Sequence, residues 1–455
     1  MEHYSRTIDR VYEPDILVCG LGPAGIGAAV ASARMGLRTM AVERAAFAGG
    51  NITSARVVGV CGAVDNVTGA LVTGGITFEM LRRAAYRRED DYSRTPLAEL
   101  LGDGPPGARA LYQPKTPDKH VAQVNSVRLL FDPEIFKRQA DVLLAGSGVH
   151  LLYHTVVADT VMDGSRIAKL ILAGKDGLAC VKPRIVIDCT GDADIAAGAG
   201  APFEKADVVQ PGTLMFSVGG LVFDEFQAFY DACRKAMAQA AENGEIELYT
   251  GPSVGWMRPG LMNFNNTRLV FDATSVQSVT DAEIRARAEV FRFFDVYRKY
   301  VPAFKDAWVQ ESGPFLGARE SRRIIGDYTL TIEDIVEGRR FDDAIALGGG
   351  IVDFHRVDKN GHSALQFVRP SDIPYRTLLP QKVDNLLVAG RCHSTTQMGA
   401  AVTRMGVTCM LMGEAAGRAA ALALDAGCAP RDVDVGKLRG VLLANGAILG
   451  SPTAA

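Results

Sequence analysis

The chain has 455 residues, 48% of them hydrophobic, and is long enough to bury more than one core. Its 49 basic and 52 acidic side chains are mixed along the sequence and leave a formal net charge of −3. This balance argues against nucleic-acid binding and against a polybasic membrane anchor, so a small-molecule substrate is the expected partner.

The eight cysteines are scattered, with no C-x-x-C pair and no Cys/His spacing that suits a metal. We therefore expect reduced thiols, no metal site and a cytoplasmic chain. The first fourteen residues lack the apolar core of a signal peptide, and no apolar run reaches the roughly 18 residues that a membrane helix needs. Neither secretion nor a membrane-spanning segment is expected, and a homo-oligomer is compatible with the sequence.

The first predicted elements are a strand at residues 15–19 (DILVC), a helix rich in Gly and Ala at 23–35, and a second strand at 37–42. The turn between the first strand and the helix reads GLGPAG, a G-x-G-x-x-G fingerprint of dinucleotide sites in the required context. Gly20 permits the tight turn, Gly22 lets the backbone approach a pyrophosphate, and Gly25 lets helix and strand pack closely. Any side chain at Gly22 is expected to clash.

Glu43 follows the second strand, 18 residues after Gly25. A carboxylate at this point can accept hydrogen bonds from ribose hydroxyls and disfavours a 2′-phosphate. The alternative is a glycine-rich turn that binds nothing, with Glu43 solvated. The fingerprint by itself does not choose between NAD and FAD.

The middle of the chain contains a polar, Pro- and Gly-rich stretch at residues 91–121 that predicts a surface excursion. A helix is predicted after Asp132, which is suited to the N-cap and is followed by Pro133. Strands are predicted at 149–157, 167–172 and 184–188, and the last of these runs into a second glycine turn.

From about residue 202 to 366 the pattern changes to long amphipathic stretches, such as 281–300, mixed with β-like runs. A buried strand returns at 385–389 (NLLVA), followed by a glycine turn and an Ala-rich helix at 407–426. The predicted fold is α/β: a discontinuous Rossmann-like dinucleotide-binding domain at 1–201 and 367–455, interrupted by an α+β substrate or cap domain at 202–366.

Three features favour FAD over NAD. They are the pair Gly49-Gly50 after the second strand, the strand and turn at residues 187–192 (IDCTGD), and the strand, turn and helix at 387–417. An NAD-binding domain has no need of the last of these.

Motifs along nearly the whole chain resemble the FAD-dependent oxidoreductase family, which is distantly related to fumarate reductase flavoproteins. The motifs are GLGPAGIGAA, AGGNIT, FDPEIFK, IDCTGDADIAAGAGAP, ARESRRIIGDYTLTIEDI, GRRFDDAIA, IPYRTLLPQKVDNLLVAGRC and CMLMGEAAGRAAALA. The resemblance implies FAD as cofactor and redox chemistry on a small organic substrate.

The resemblance also implies which residues approach the cofactor. The helix that begins near Met405 would direct backbone N–H groups at the flavin edge where negative charge accumulates. The complete set of expected cofactor-binding residues is Gly20, Gly22, Pro23, Ala24, Gly25, Glu43, Arg44, Gly49, Gly50, Gly191, Asp192, Gly390, Arg391, Met405, Gly406 and Val407.

The chain departs from the family at residues 394–399, where it reads STTQMG and lacks the His of the SATHEA pattern. No acid–base role is therefore carried over to this segment. Gln397 is still expected to lie near the flavin, because it follows Gly390 closely in the chain.

Flavin catalysis needs side chains that orient the substrate and move a proton. His355 is a candidate because the usual pKa of imidazole suits proton transfer, although a structural, hydrogen-bonded His is the competing interpretation. Arg322 and its neighbours in ARESRR are candidates for an anion clamp or, equally, for a salt-bridged interface. Tyr328 is a candidate proton donor or a packed tyrosine. The candidate catalytic residues are thus His355, Gln397, Tyr328 and Arg322.

No His lies near Gly49-Gly50, so noncovalent FAD is expected. The predicted function is hydride transfer between FAD and a small organic substrate, as in a dehydrogenase, oxidase or reductase. The alternatives are a flavin-dependent monooxygenase, which would need NADPH although the chain has no second G-x-G-x-x-G, and a flavin-binding protein that is not an enzyme.

Overall fold

The computed structural model describes residues 5–63, 65, 70–84, 129–130, 132–247, 253–258, 260–356 and 363–450. The surface excursion predicted at 91–121 lies outside the described residues.

A five-stranded parallel sheet forms the centre of the molecule. In spatial order its strands are Leu386–Val388, Ile185–Asp188, Ile16–Cys19, Thr39–Val42 and His150–Leu152. The four strands other than His150–Leu152 are buried throughout, which matches their continuous apolar sequences. The return of the chain near its C-terminus to complete the sheet confirms the discontinuous Rossmann-like fold.

The strand predicted at 149–157 is divided between two sheets. Residues His150–Leu152 join the parallel sheet, whereas Val156–Asp163 begins a four-stranded sheet with Arg166–Gly174, Gly177–Val181 and Val11–Tyr12. The interruption lies at His154, whose backbone adopts a left-handed conformation with φ of 51°. The sequence prediction of one strand here is wrong because the alternation of residues does not reveal this turn.

Two helices pack against each other on one face of the parallel sheet with their backbones in contact. They are Pro23–Arg34 and Gly406–Ala426, and both consist mostly of Gly, Ala and other small or apolar residues. A Cβ atom at Gly413 would lie 1.9 Å from the carbonyl oxygen of Ala24, and one at Gly27 would lie 2.3 Å from that of Met410. Only glycine at these two positions permits the close approach.

The helix Gly406–Ala426 is long and apolar enough to cross a membrane, but 89% of its most apolar 18-residue window is buried inside the protein. Its apolar surface is buried by packing on the sheet and on the helix Pro23–Arg34. It is therefore a core helix.

The remaining helices are shorter or lie at the edges of this core. The predicted helix after Asp132 is present, with the Asp132 carboxylate accepting a hydrogen bond from the backbone N–H of Glu134 at 2.8 Å. The α-helices are Gly75–Ala84, Pro133–Gly146, Asp194–Gly198, Ile332–Val336, Gln397–Thr403 and Val435–Ala444, and the 3-10 helices are Gly50–Ile52, Pro302–Phe304, Tyr375–Leu378 and Pro430–Asp432.

A second core belongs to the inserted part of the chain. An antiparallel sheet packs there against the helices Phe226–Glu242 and Val276–Tyr300, around stacked aromatic rings such as those of Tyr297 and Phe304. The strands of this sheet, in spatial order, are Val254–Arg258, Leu261–Phe264, Phe216–Gly219 and Trp308–Ser312.

The second core is narrower than the predicted insertion of 202–366. Its buried members run from Leu214 to Leu316, whereas Ile345 and Val352 pack in the first core. The strand Ala344–Gly348 contacts the long helix Gly406–Ala426, which draws this segment back to the first core. The described residues also form four two-stranded sheets: Gly59–Val60 with Leu129–Leu130, Phe203–Glu204 with Arg323–Ile324, Ala344–Gly348 with Ser371–Pro374, and Ile351–His355 with Ser363–Phe367.

Candidate functional site

A cleft of about 580 Å³ opens at the carboxyl ends of the parallel strands and extends to the second core. It begins between the neighbouring strands Ile16–Cys19 and Ile185–Asp188, from which the connections leave in opposite directions along the sheet. This is the topological switch point at which open α/β sheets bind ligands.

The glycine turn forms one wall of the cleft. Gly20 has φ of 87°, and a Cβ atom there would lie 2.7 Å from the carbonyl oxygen of Cys189. A Cβ at Gly25 would lie 1.9 Å from the carbonyl oxygen of Gly20, so both positions require glycine.

Gly22 behaves differently from the other two glycines. A Cβ atom there would meet only the Cα of Gly50, at 3.8 Å, which is an ordinary contact. The clash predicted at Gly22 therefore does not come from the chain itself, and the space beside its backbone is open to a ligand. Gly22 is also the N-cap of the helix Pro23–Arg34 and makes no side-chain cap, so the first N–H groups of that helix point toward the opening.

Glu43 lies in the cleft wall with its carboxylate fixed by the backbone. Its Oε2 accepts a hydrogen bond from the N–H of Leu21 at 2.7 Å, and its Oε1 accepts one from the N–H of Ala45 at 2.9 Å. The first bond ties the acid to the glycine turn, and further lone pairs on each oxygen are available to ribose hydroxyls.

The second glycine turn carries an ion pair. The guanidinium of Arg391 lies 2.9 Å from Asp192 Oδ1, and Ser321 donates a hydrogen bond to the same oxygen. Asp188 stabilises this turn, because its carboxylate accepts hydrogen bonds from the N–H groups of Ile195 and Ala196 at 3.0 Å. Burial raises the pKa of Asp188 to about 6.

Thirteen of the sixteen predicted cofactor-binding residues line the cleft. They are Gly20, Gly22, Pro23, Ala24, Glu43, Arg44, Gly50, Gly191, Asp192, Gly390, Arg391, Met405 and Gly406. Gly25 packs beneath Gly20, Gly49 is the N-cap of the helix Gly50–Ile52, and Val407 is buried at 2% exposure. These three support the cleft from behind its surface.

Two helices direct their N-terminal ends at the cleft, since Met405 is the N-cap of Gly406–Ala426 and also has no side-chain cap. The first backbone N–H groups of both helices, which have no partner within the helix, and the positive ends of the two helix dipoles therefore face the same space. Together with the open backbone at Gly22 and the fixed carboxylate of Glu43, this arrangement fits a dinucleotide with an anionic centre.

The far end of the cleft is a buried polar compartment, which we call the chamber. It is lined by Thr213, Arg268, Arg319, Asp353, His355 and Arg404. The first five belong to residues 202–366, and the last belongs to the turn before the helix Gly406–Ala426.

His355 and Asp353 form the acidic and imidazole part of the chamber. The His355 Nε2 lies 3.1 Å from Asp353 Oδ1, and the Asp353 Oδ2 lies 3.2 Å from Arg404 Nη2. Burial and the charge of Arg319 lower the pKa of His355 to about 3, against the opposing effect of Asp353. Burial alone would raise the pKa of Asp353, but the hydrogen bond from His355 and the nearby arginines keep it well below its usual value.

Two further arginines converge on one hydroxyl. Arg268 Nη1 and Arg319 Nη1 donate to Thr213 Oγ1 at 3.0 and 2.7 Å. Burial lowers the pKa of Arg268 to about 10, and burial together with the charges of Arg268 and Arg404 lowers the pKa of Arg319.

Of the four candidate catalytic residues, only His355 lines the cleft. Tyr328 donates to Asp334 at 2.7 Å and lies in a separate shallow pocket, and Arg322 pairs with Asp194 at 2.8 Å. For both, the structure contains the competing arrangement, a satisfied tyrosine and a salt-bridged arginine.

Gln397, which its position after Gly390 predicts to lie near the flavin, is not among the residues that line the cleft. Its Nε2 donates to Glu320 Oε1 at 2.6 Å and to the carbonyl oxygen of Val208 at 3.0 Å. Thr396 caps the helix Gln397–Thr403 by accepting from the N–H of Gly399, and the chain reaches the chamber only at Arg404.

Sequence reasoning missed Arg268, Asp353 and Arg404. Asp353 could have been found, because it lies two residues before His355 on the same strand and alternate residues share a face. Arg404 directly precedes the predicted Met405, whereas nothing in the local sequence singles out Arg268. Among the described residues, no group of three or more His, Cys, Asp and Glu side chains is arranged to hold a metal ion.

Comparison with known proteins gives one family match. The family model described as FAD dependent oxidoreductase matches residues 15–442. No curated protein sequence matches the chain.

Solved structures resemble the chain only weakly. A geranylgeranyl bacteriochlorophyll reductase-like protein (Ta0516) from Thermoplasma acidophilum aligns with a TM-score of 0.48 and 13% identity, over 96% of this chain and 85% of that one. L-proline dehydrogenase from P. horikoshii aligns with a TM-score of 0.42 and 12% identity, over 95% and 98%. The p-nitrophenol 4-monooxygenase PnpA from Pseudomonas putida DLL-E4 gives 0.43 and 13%, over 93% and 82%. Similarity at this level carries no information about substrate or reaction.

Proposed function

The chain belongs to the FAD-dependent oxidoreductase family, and from this membership we propose that it moves a hydride between noncovalently bound FAD and a small organic substrate held in the chamber. Membership of an enzyme family removes the alternative of a flavin-binding protein without activity. The proposal covers hydride transfer in either direction.

The observation that carries the proposal is the continuity of the cleft. One end is a dinucleotide cradle with the glycine turn and Glu43, and the other is a buried compartment with an imidazole, a carboxylate and three guanidinium groups. A cofactor anchored at the first end would extend its reactive half toward the second.

Bound FAD supplies the hydride acceptor or donor, and the chain supplies binding, orientation and proton movement. We propose that the backbone around Gly22 and the ion pair of Arg391 with Asp192 flank the pyrophosphate. The helix end at Met405 and Gly406 would then stabilise negative charge on the cofactor. The thirteen predicted residues that line the cleft are the proposed cofactor-binding set.

His355 is the proposed proton carrier of the chamber. Its imidazole is neutral over the physiological range, since its pKa is about 3. Asp353 accepts from Nε2 and so fixes the orientation of the ring. A neutral imidazole oriented in this way can take a proton from a substrate when that substrate loses a hydride.

The proposed division of labour follows the predicted domain boundaries. Residues 202–366 would act as the substrate domain, because five of the six chamber residues, all except Arg404, come from this segment, while the rest of the chain would hold FAD. Denaturing the holoprotein is expected to release all yellow colour from the chain. Colour retained on the chain would indicate covalent attachment.

The test of the function is anaerobic mixing of the holoprotein with small organic acids, alcohols and amines while flavin absorbance is followed. Bleaching by one of these substrates without NADPH is the expected result. Strict dependence on NADPH and oxygen would contradict the proposal and indicate a flavin-dependent monooxygenase.

A further inference from the structure

The chamber contains more positive charge than its own carboxylate balances. Arg268, Arg319 and Arg404 line it together with the single acid Asp353, and His355 is neutral. The backbone N–H of Arg268 donates a hydrogen bond to Glu289 Oε2 at 3.4 Å. Glu289 belongs to the helix Val276–Tyr300 and does not line the cleft. Among the described residues that line the chamber, two positive charges therefore have no counter-charge.

The chain satisfies some of the guanidinium donors: Arg268 Nη1 also donates to Asn265 Oδ1 and to the carbonyl oxygen of Thr267, each at 2.8 Å, and Arg319 Nη1 donates to the carbonyl oxygen of Pro211. Other donors have no acceptor in the part of the chain that the structure describes. Thr213 Oγ1 accepts from both Arg268 and Arg319, and it donates its own proton to the carbonyl oxygen of Thr267 at 3.1 Å. The Nε atoms of Arg268 and Arg404 are buried and have no hydrogen-bond partner among the described residues. Buried cationic donors without acceptors are costly, so this chamber is built to receive an anion.

The rest of the lining limits the kind of anion. Asn263, Asn265 and Tyr230 also line the cleft with polar side chains, while Met215 and Leu316 add apolar surface. An organic molecule with an anionic head and an apolar or polar body fits this mixture better than a bare inorganic ion.

We propose that the substrate oxidised or reduced at this site is an organic acid. Its carboxylate group would be bound among Arg268, Arg319 and Arg404. This inference rests on the proposed function, because it assigns the substrate class of the same chamber. Guanidinium groups bind carboxylates with paired, charge-assisted hydrogen bonds, which satisfies both the excess charge and the missing acceptors.

The chamber also couples anion binding to His355. Among the described residues, the charged groups that act on His355 are Asp353, Arg319 and Arg268, and the two arginines disfavour its protonation. A carboxylate seated between the arginines offsets their charge, so the imidazole becomes a better proton acceptor when substrate is bound. Binding and proton transfer are then linked within one compartment.

The direct test is titration of the holoprotein with matched pairs of ligands, acetate against acetamide and benzoate against benzamide, by calorimetry and by perturbation of the bound flavin spectrum. Each carboxylate is expected to bind at least about tenfold more tightly than its neutral partner. Equal binding of the two would overturn the inference. Tight binding of inorganic phosphate without any carboxylate preference would overturn it in favour of a phosphate-bearing ligand.

Variants locate the binding group. Arg404→Gln is expected to weaken benzoate binding by about tenfold and to leave benzamide unchanged, with Arg404→Lys intermediate because it keeps the charge but loses the forked donors. Arg285→Gln, at an exposed position of the helix Val276–Tyr300, is the matched control and should change neither. Because the ligand pairs are compared on the wild-type protein, the inference stays testable if a variant does not fold.

Measurement of FAD affinity on the same variants separates two roles for the arginines. If Arg404→Gln weakens FAD binding and leaves benzoate binding unchanged, the arginine serves the cofactor and the inference is wrong. Bleaching by neutral substrates with no carboxylate preference would leave the proposed function intact and overturn only the substrate class. Carboxylate binding without bleaching by any substrate would leave the proposed ligand class intact and overturn the proposed function.

Discussion

The imidazole of His355 and the carboxylate of Asp353 lie 3.1 Å apart in a chamber that also contains three arginines. Asp353 stays charged because the hydrogen bond from His355 and the charges of Arg404 and Arg319 keep its pKa low, against the effect of burial. His355 stays neutral because burial and the charges of Arg319 and Arg268 lower its pKa. The pair is therefore an oriented base whose strength depends on the charge around it.

His355→Gln is expected to lower kcat by about 100-fold or more, since it removes the proposed proton carrier but keeps a polar side chain of similar length. KM should change little, because the arginines that hold the substrate remain. The measurement is steady-state kinetics on a substrate found by anaerobic screening. His150→Gln, at an exposed position, is the control, and an unchanged kcat for His355→Gln would exclude a role in proton transfer.

Carboxylate binding is expected to take up a proton between about pH 3 and 6.5. The pKa of His355 is about 3 in the absence of an anion, against an ordinary value of 6.5 for histidine, and a bound carboxylate raises it by offsetting Arg319 and Arg268. Calorimetric titration with benzoate in buffers of different ionisation enthalpy measures this uptake. Loss of the uptake in His355→Gln would assign it to this residue, whereas uptake of the same size in the variant would not.

The contact between the helices Pro23–Arg34 and Gly406–Ala426 makes a prediction about stability. Gly413→Ala places a methyl group 1.9 Å from the carbonyl oxygen of Ala24, and separating two packed backbones is expected to cost about 3 kcal/mol. Chemical denaturation measures the change in free energy of unfolding. Gly440→Ala, where a Cβ meets nothing within 4 Å, is the control and should stabilise its helix by up to about 1 kcal/mol.

The burial of His393 leads to a prediction about how the free energy of unfolding falls in acid. It is fully buried, with Nε2 at 2.8 Å from Thr403 Oγ1, and burial lowers its pKa to about 3 from the ordinary value of 6.5. The unfolded chain therefore binds a proton below pH 6.5 that the folded chain refuses until about pH 3, and stability falls through this window. His393→Gln should reduce that fall by at most about 5 kcal/mol, at about 1.4 kcal/mol per pH unit.

Denaturation curves at several pH values measure this effect. His150→Gln serves as control because His150 is exposed. The same acid slope in wild type and His393→Gln would mean that this histidine does not contribute.

The dinucleotide end of the cleft could be predicted from sequence because its determinants are local. Gly20, Gly22 and Gly25 lie within six residues, and Glu43 follows at a spacing fixed by one helix and one strand. At Gly20 a left-handed turn and at Gly25 a close backbone contact can be met by glycine only.

The chamber could not be predicted in the same way, because its parts come from distant segments. Asp353 and Arg404 lie in segments that pack in the first core, whereas Arg268 lies in the segment of the second, so the three meet only where the two cores adjoin. Gln397 shows why proximity in sequence is a weak guide: it follows Gly390 closely, but it begins the helix that Thr396 caps, and its amide donates to Glu320 instead of lining the cleft.

The placement of FAD against the glycine turn is tested by equilibrium titration of FAD into the apoproteins of wild type, Gly22→Ala and Gly22→Val. A Cβ at Gly22 meets only Gly50 Cα at 3.8 Å, so Gly22→Ala should fold with a melting temperature close to that of wild type, and Gly22→Val should also fold. If the cleft holds FAD with its pyrophosphate against this backbone, affinity falls about tenfold or more in Gly22→Ala and further in Gly22→Val. Unchanged FAD affinity in folded Gly22→Val would show that the cofactor does not bind at this turn.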